Sequence, residues 1–157
     1  DEGVQYSIIL PHKSHTKELK RLVGRQKRIP TGLGTILLVD DEESVRKVAK
    51  NVLARLGYKV MLAEDGRRAL WLYRDHKAEI DLVILDMIMP NLSGWETYGR
   101  LKAMNPEVCI LIASGTSTAE QTQHLWQGER CDFIQKPFHI EEIADKVHAL
   151  LKHKRVS

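Results

Sequence analysis

Leu82-Val83-Ile84-Leu85-Asp86-Met87-Ile88-Met89-Pro90 is the stretch whose reading decides the fold. Its four leading apolar residues, uninterrupted by any polar one, predict a strand buried on both faces, and such strands belong to parallel sheets covered by helices. The run ends at one carboxylate with a proline four residues on, so Asp86 is expected at the strand end, on a turn. In an open parallel sheet, ligands bind just beyond the carboxyl ends of the strands. Alone, such an Asp is a turn former; what stands at the other strand ends decides whether it does chemistry.

Upstream, Ile36-Leu37-Leu38-Val39 reads as a second buried strand, followed by a helix over 43–56 with Val45, Val48, Ala49, Val52, Leu53 and Leu56 at helical spacing and Gly57 closing it. Residues 58–63 form a strand, and 65 to about 75 a helix carrying Ala69, Leu70, Leu72 and Tyr73. Downstream, Ser93 N-caps a helix to about 104, 109–113 form a strand, and 118–127 a polar helix stopped by Gly128. A strand over 132–135 follows, and the last helix shows Ile140, Ile143, Ala144, Val147, Leu150 and Leu151 on one face. Strands alternating with helices in this way imply an α/β fold: a doubly wound, five-stranded parallel sheet of flavodoxin-like order 2-1-3-4-5, with helices on both faces. No G-x-G-x-x-G follows the first strand, which argues against a nucleotide cofactor.

The composition fits one soluble domain with a tail: 157 residues, 43% apolar and 29% charged. No apolar run reaches the ~20 residues of a membrane span and nothing resembles a signal sequence, so the chain reads as cytoplasmic, without membrane contact. Cys109 and Cys131 have no Cys or His at metal-ligand spacing and read as two buried, reduced thiols. Residues 1–34 hold seven Lys/Arg against three acidic residues, a local net charge of +4. Those cations lack interleaved aromatics, so 12–34 reads as a solvated basic linker, and no nucleic-acid partner is expected.

The carboxyl ends of the strands carry a constellation. The first ends in Asp40-Asp41-Glu42, the third in Asp86, the fourth in Ser114-Gly115 and the fifth in Lys136-Pro137. The order 2-1-3-4-5 makes these strands neighbours, so the groups converge. Packed carboxylates repel unless a cation neutralises them, and an all-oxygen ligand set selects a hard divalent ion, Mg2+ or Mn2+. With a metal, an ammonium from Lys136 and a hydroxyl from Ser114, a carboxylate at Asp86 can act as nucleophile toward phosphorus, giving an aspartyl phosphate.

Residues 35–152 resemble the receiver domain of two-component signalling. The resemblance rests on Leu38-Val39-Asp40-Asp41-Glu42, on Leu85-Asp86-Met87-Ile88-Met89-Pro90 followed by Gly94, on Ala113-Ser114-Gly115, and on Phe133-Ile134-Gln135-Lys136-Pro137-Phe138. It implies that Asp86 is the phosphoacceptor, that Asp41 binds the metal directly and Asp40 through water, and that the main-chain carbonyl of Ile88 completes the protein ligands. It further implies that Ser114 and Lys136 bind phosphoryl oxygens, that Phe133 is the aromatic switch, and that the Lys136-Pro137 bond is cis. Such a module promotes its own phosphorylation and dephosphorylation. Its donor would be a kinase phosphohistidine, its acceptor a histidine phosphotransfer protein, and the helix over 118–127, with Trp126, its moving, partner-facing element.

Two positions depart from the best-studied members: Ile88 and Thr116 offer no polar group to position a hydrolytic water, from which slow self-dephosphorylation is expected. At the other end, Gly3-Val4-Gln5-Tyr6-Ser7-Ile8-Ile9-Leu10-Pro11 resembles the last strand of the ATP-binding domain of sensor histidine kinases. The expected layout is therefore a kinase remnant at 1–11, the linker at 12–34, the receiver at 35–152 and a tail at 153–157, as in a hybrid histidine kinase, the remnant packing on the receiver or on a second copy. Competing readings are a stand-alone regulator with a nucleic-acid-binding tail, a receiver that only binds partners, and an aspartyl phosphatase. The last places D-x-D after its first strand, whereas here the Asp pair is adjacent.

Overall fold

The computed structural model describes residues 29–115 and 130–156. The kinase-like segment, most of the linker, Thr116 and the expected helix over 118–127 lie outside these residues. In chain order the elements are β1 (Thr35–Val39), α1 (Glu43–Arg55), β2 (Lys59–Ala63), α2 (Gly66–His76), β3 (Ile80–Asp86), α3 (Gly94–Met104), β4 (Ile110–Ser114), β5 (Cys131–Gln135) and α4 (Ile140–Val156). All four strand pairings are parallel and the sheet order is β2-β1-β3-β4-β5, as the sequence pattern requires.

Alternation along each strand divides the core into two layers. Ile36, Leu38, Leu82, Ile84, Leu111 and Ile134 face α1 and α4, meeting Ala49, Leu53, Ile143 and Val147. Leu37, Val39, Val83, Leu85, Ile110 and Ile112 face α2 and α3, meeting Ala69, Leu72, Tyr73 and Leu101. The uninterrupted apolar runs are thus buried on both faces, with Leu37, Leu82, Leu85 and Leu111 fully buried.

Several boundaries differ from the sequence expectation. β3 begins two residues early at Ile80 and includes Asp86, which pairs opposite Ala113 in β4 instead of standing on the turn. The ladder extends one step further, because Met87 N–H donates to the Ala113 carbonyl at 3.2 Å. Residues before 35 are tied into the domain as well: Gly32 N–H donates to Leu56 and Lys59 N–H to Gly34, each at 2.9 Å. Gly57, at φ +102°, lets this chain entry pass, since a Cβ there would lie 2.4 Å from the Gly32 carbonyl oxygen. At the other end α4 runs to Val156, past the expected boundary at 152, and Lys154 Nζ donates to Asp81 Oδ1 at 2.8 Å. Val48 and Ile140, read as core, are 63% and 46% exposed. Val48 lies at the edge of the α1 stripe, about 100° from Ala49 at 3.6 residues per turn, and Ile140 is the first residue of its helix. Cys109 is buried, but Cys131 only partly so, and burial pushes its thiol up to about 11, away from thiolate chemistry.

Candidate functional site

The site forms where β1, β3, β4 and β5 end. β1 stops at Val39, and the next residue, Asp40, is 3% exposed. Its Oδ1 accepts the Glu42 N–H at 2.9 Å, a turn that leads straight into α1. Asp41 is exposed, and Asp86, at the end of β3, is 6% exposed. Carboxylate oxygens of Asp40, Asp41 and Asp86 lie within 4.8 Å of one another. Oxygen-only donors, crowded and like-charged, suit a hard divalent cation, and the arrangement meets the requirement inferred from the sequence.

Lys136 enters from beyond β5, across the cis Lys136-Pro137 bond. Its Nζ sits 2.5 Å from Asp40 Oδ2 and 3.6 Å from Asp86 Oδ1, so one ammonium bridges two carboxylates. Its backbone N–H donates to the Ser114 carbonyl at 2.9 Å, fixing the start of that loop to the end of β4. Ser114 is buried at that strand end. Burial pushes the Asp86 carboxyl up to about 6; the Lys136 ammonium opposes the rise and the nearby Asp40 charge adds to it.

The loop after Asp86 is shaped by local rules. Ile88 N–H donates to Asp86 Oδ1 at 3.3 Å while the Ile88 side chain stands 61% exposed beside it. Asn91 takes φ +69°, a conformation its short polar side chain tolerates. Ser93 then caps α3 by accepting the Glu96 N–H at 3.2 Å, and Gly94 N–H donates back to the Met87 carbonyl at 3.1 Å. Only a glycine fits there: a Cβ on Gly94 would lie 2.5 Å from the Asp86 carbonyl oxygen.

The structure therefore brings together Asp40, Asp41, Asp86 and Lys136, with Ser114 buried at the neighbouring strand end and Ile88 on the rim. Phe133 is set back on β5, half-buried against the α2–α3 layer. One participant escaped the sequence reading. Arg46, in α1, reaches back to donate from Nη1 to the Asp40 main-chain carbonyl at 2.6 Å. A cation near a helix N-terminus opposes the helix dipole, and that misplacement is the signal that a specific acceptor holds it.

Residues 36–148 match the family model of the response regulator receiver domain. The chain belongs to that family. Among curated relatives, this receiver is 38% identical over 117 residues to the uncharacterized transcriptional regulatory protein YrkP of Bacillus subtilis, covering 74% of this chain and 49% of that protein. It is 27% identical over 158 residues to the sensor kinase CckA of Brucella abortus, covering 96% of this chain and 17% of the kinase. The chain thus spans half or less of the length of these relatives. Among solved structures, the receiver domain from the hybrid histidine kinase CckA superposes with TM-score 0.64 at 32% identity, over 75% of this chain and 99% of that one. The response regulator TrrA from Thermotoga maritima, solved in complex with Mg2+ and BeF, gives 0.67 at 32% identity, over 74% and 98%. Receiver domains of two-component systems bind Mg2+ at an acidic pocket and interact with histidine kinases or phosphotransfer proteins, and this chain carries such a pocket. Among the described residues, no helix is long and apolar enough to cross a membrane.

Proposed function

We propose that Asp86 accepts a phosphoryl group from a phosphohistidine and that Asp40, Asp41, Asp86 and the main-chain carbonyl of Ile88 hold Mg2+ for that reaction. The observation that carries this reading is the buried Asp86 carboxylate, sharing one pocket with Asp40 and Asp41 and facing the Lys136 ammonium at 3.6 Å. Bound Mg2+ supplies positive charge opposite the negative charge on the transferred group. An Asp86 oxygen attacks phosphorus, the P–N bond to the donor imidazole breaks, and the departing nitrogen keeps the electron pair and takes up a proton. Lys136, now shared between Asp40 and Asp86, turns to a phosphoryl oxygen, and the Ser114 hydroxyl donates to another. Phe133 follows Ser114 as the switch that reports the phosphate to the β4–β5 face.

The same proposal places this receiver at 35–152 of a hybrid histidine kinase in the cytoplasm, with 1–11 the end of the ATP-binding domain and 12–34 the linker. Support comes from the sensor kinase alignment, which covers 96% of the chain and so extends beyond the 36–148 of the family match. A histidine phosphotransfer protein is the onward acceptor, and a second copy of the chain a further partner.

The test is intact mass after incubation with Mg2+ and acetyl phosphate, on the wild type and on Asp86→Asn. The expected result is an acid-stable, base-labile gain of one phosphoryl group, absent from the mutant. No gain in the wild type overturns the proposal.

A further inference from the structure

Asp40 is held from three sides. Lys136 Nζ takes Oδ2, the Glu42 N–H takes Oδ1, and the Arg46 guanidinium takes the main-chain carbonyl at 2.6 Å. The first two act on the carboxylate, but Lys136 is also the ammonium nearest Asp86, 3.6 Å away, and a reacting phosphoryl group draws it off Asp40. The third acts on the backbone and is independent of what Lys136 does. Glu42, the residue before α1, makes no side-chain cap hydrogen bond, so the restraint at this end of the helix falls on the Asp40 turn. Arg46 restrains that end differently: its guanidinium, a donor only, folds back over the turn to the Asp40 carbonyl while its own N–H donates to the Glu42 carbonyl at 3.0 Å.

We infer that Arg46 is the positioning residue of the metal-binding turn, its guanidinium fixing the Asp40 carbonyl and with it the direction in which Asp40 and Asp41 present their carboxylates to a divalent cation. This rests on the proposed metal role of those two residues. Asp41 is exposed, so apart from its contact with the Asp86 carboxyl its direction comes from the backbone that Arg46 clamps. Electrostatics alone argues the opposite effect: a guanidinium near an acidic pocket repels a second cation, so its removal would tighten metal binding. The sign of the change therefore separates positioning from charge.

The experiment is calorimetric titration of the whole chain with Mg2+, for the wild type, Arg46→Ala, Arg46→Lys and Lys47→Ala, with thermal unfolding of each without metal as the check on folding. Lys47 supplies the charge-matched control, since it pairs with Glu43 at 3.0 Å on the exposed side of the same helix and touches nothing in the pocket. Arg46→Ala is expected to weaken Mg2+ binding about tenfold, the size typical of a lost outer partner of a metal ligand. Arg46→Lys, which keeps a donor on a shorter stem, is expected to lose less, and Lys47→Ala to stay within about twofold because exposed charges are screened. If Arg46→Ala does not fold, Arg46→Lys weaker than both wild type and Lys47→Ala carries the inference. Unchanged or tighter binding by the folded Arg46 variants overturns it. A wild type that binds no Mg2+ instead overturns the metal reading of the pocket, a result distinct from any difference among variants.

Discussion

Replacing Asp86 by Asn should stabilise the metal-free protein at neutral pH while abolishing phosphorylation. Burial, with the Asp40 charge beside it, raises the Asp86 carboxyl from 3.8 to about 6 in the folded state, even though Lys136 stands 3.6 Å away. The unfolded chain keeps the ordinary value, so folding takes up a proton between these two values. The resulting contribution is fully present below about pH 4, declines as pH rises, and is lost above about 6. At 1.36 kcal/mol per unit, a rise of about two units sets a ceiling near ~3 kcal/mol, and solvent reaching the carboxylate brings the expected gain to about 1–2 kcal/mol. Asn keeps the shape and an oxygen for the Ile88 N–H, so little else changes. For a domain of this size each kcal/mol moves the melting temperature by roughly 3–6 °C. Thermal unfolding in a chelator should therefore place Asp86→Asn above the wild type by about 3–12 °C at pH 7.5, with the gap closing toward pH 4. Mg2+ should then raise the wild type more than the mutant, by about 2.7 kcal/mol for the wild type at a hundred times its Kd. A mutant no more stable than the wild type at pH 7.5, or a gap independent of pH, would refute the account of a strained carboxylate cluster.

Two further outcomes follow from the loop after Asp86, the proposed acceptor. Ile88 is 61% exposed and offers no polar atom on its side chain, so the phosphorylated protein should hold its phosphate long, and Ile88→Glu, which can orient a water, should shorten the half-life, on the order of tenfold; following the decay of phosphoprotein by mass checks both, and a wild-type half-life of seconds contradicts the first. Gly94→Ala puts a methyl 2.4 Å from Met87 Cα and 2.5 Å from the Asp86 carbonyl oxygen, both backbone; denaturant unfolding should show a loss of about 1–3 kcal/mol, the cost of overpacking, with a lower rate of phosphorylation.

Much of the fold was legible because strand burial here is two-sided. Leu82-Val83-Ile84-Leu85 can be apolar throughout only if helices cover both faces, and the division of Leu37, Val83 and Ile112 from Leu38, Ile84 and Leu111 between the two layers follows from the pleat alone. What stayed illegible lies at the ends of elements. Residues Gly32 to Gly34 look like linker by composition, yet their backbone groups complete hydrogen bonds to Leu56 and Lys59, which sequence cannot announce because any residue offers the same N–H and C=O. Likewise His153 and Lys154 read as a polar tail, but a charged turn at the carboxyl end of a helix suits its dipole, and Asp81 anchors it.

The site divides along the same line. Asp40, Asp41, Asp86 and Lys136 were legible because topology alone carries neighbouring strand ends together. The partner each chooses was not. Lys136 lies closer to Asp40 than to Asp86, so in the structure the ammonium steadies the Asp40 carboxylate more than the proposed acceptor. Burial holds Asp86 near 6, and the Lys136 ammonium, whose nearer contact serves Asp40, opposes that rise only in part. On the proposed roles, a divalent ion held by Asp40 and Asp41 would lower the cost of ionising Asp86 by adding positive charge beside it. Metal binding and readiness to react would then be linked by the electrostatics of one pocket.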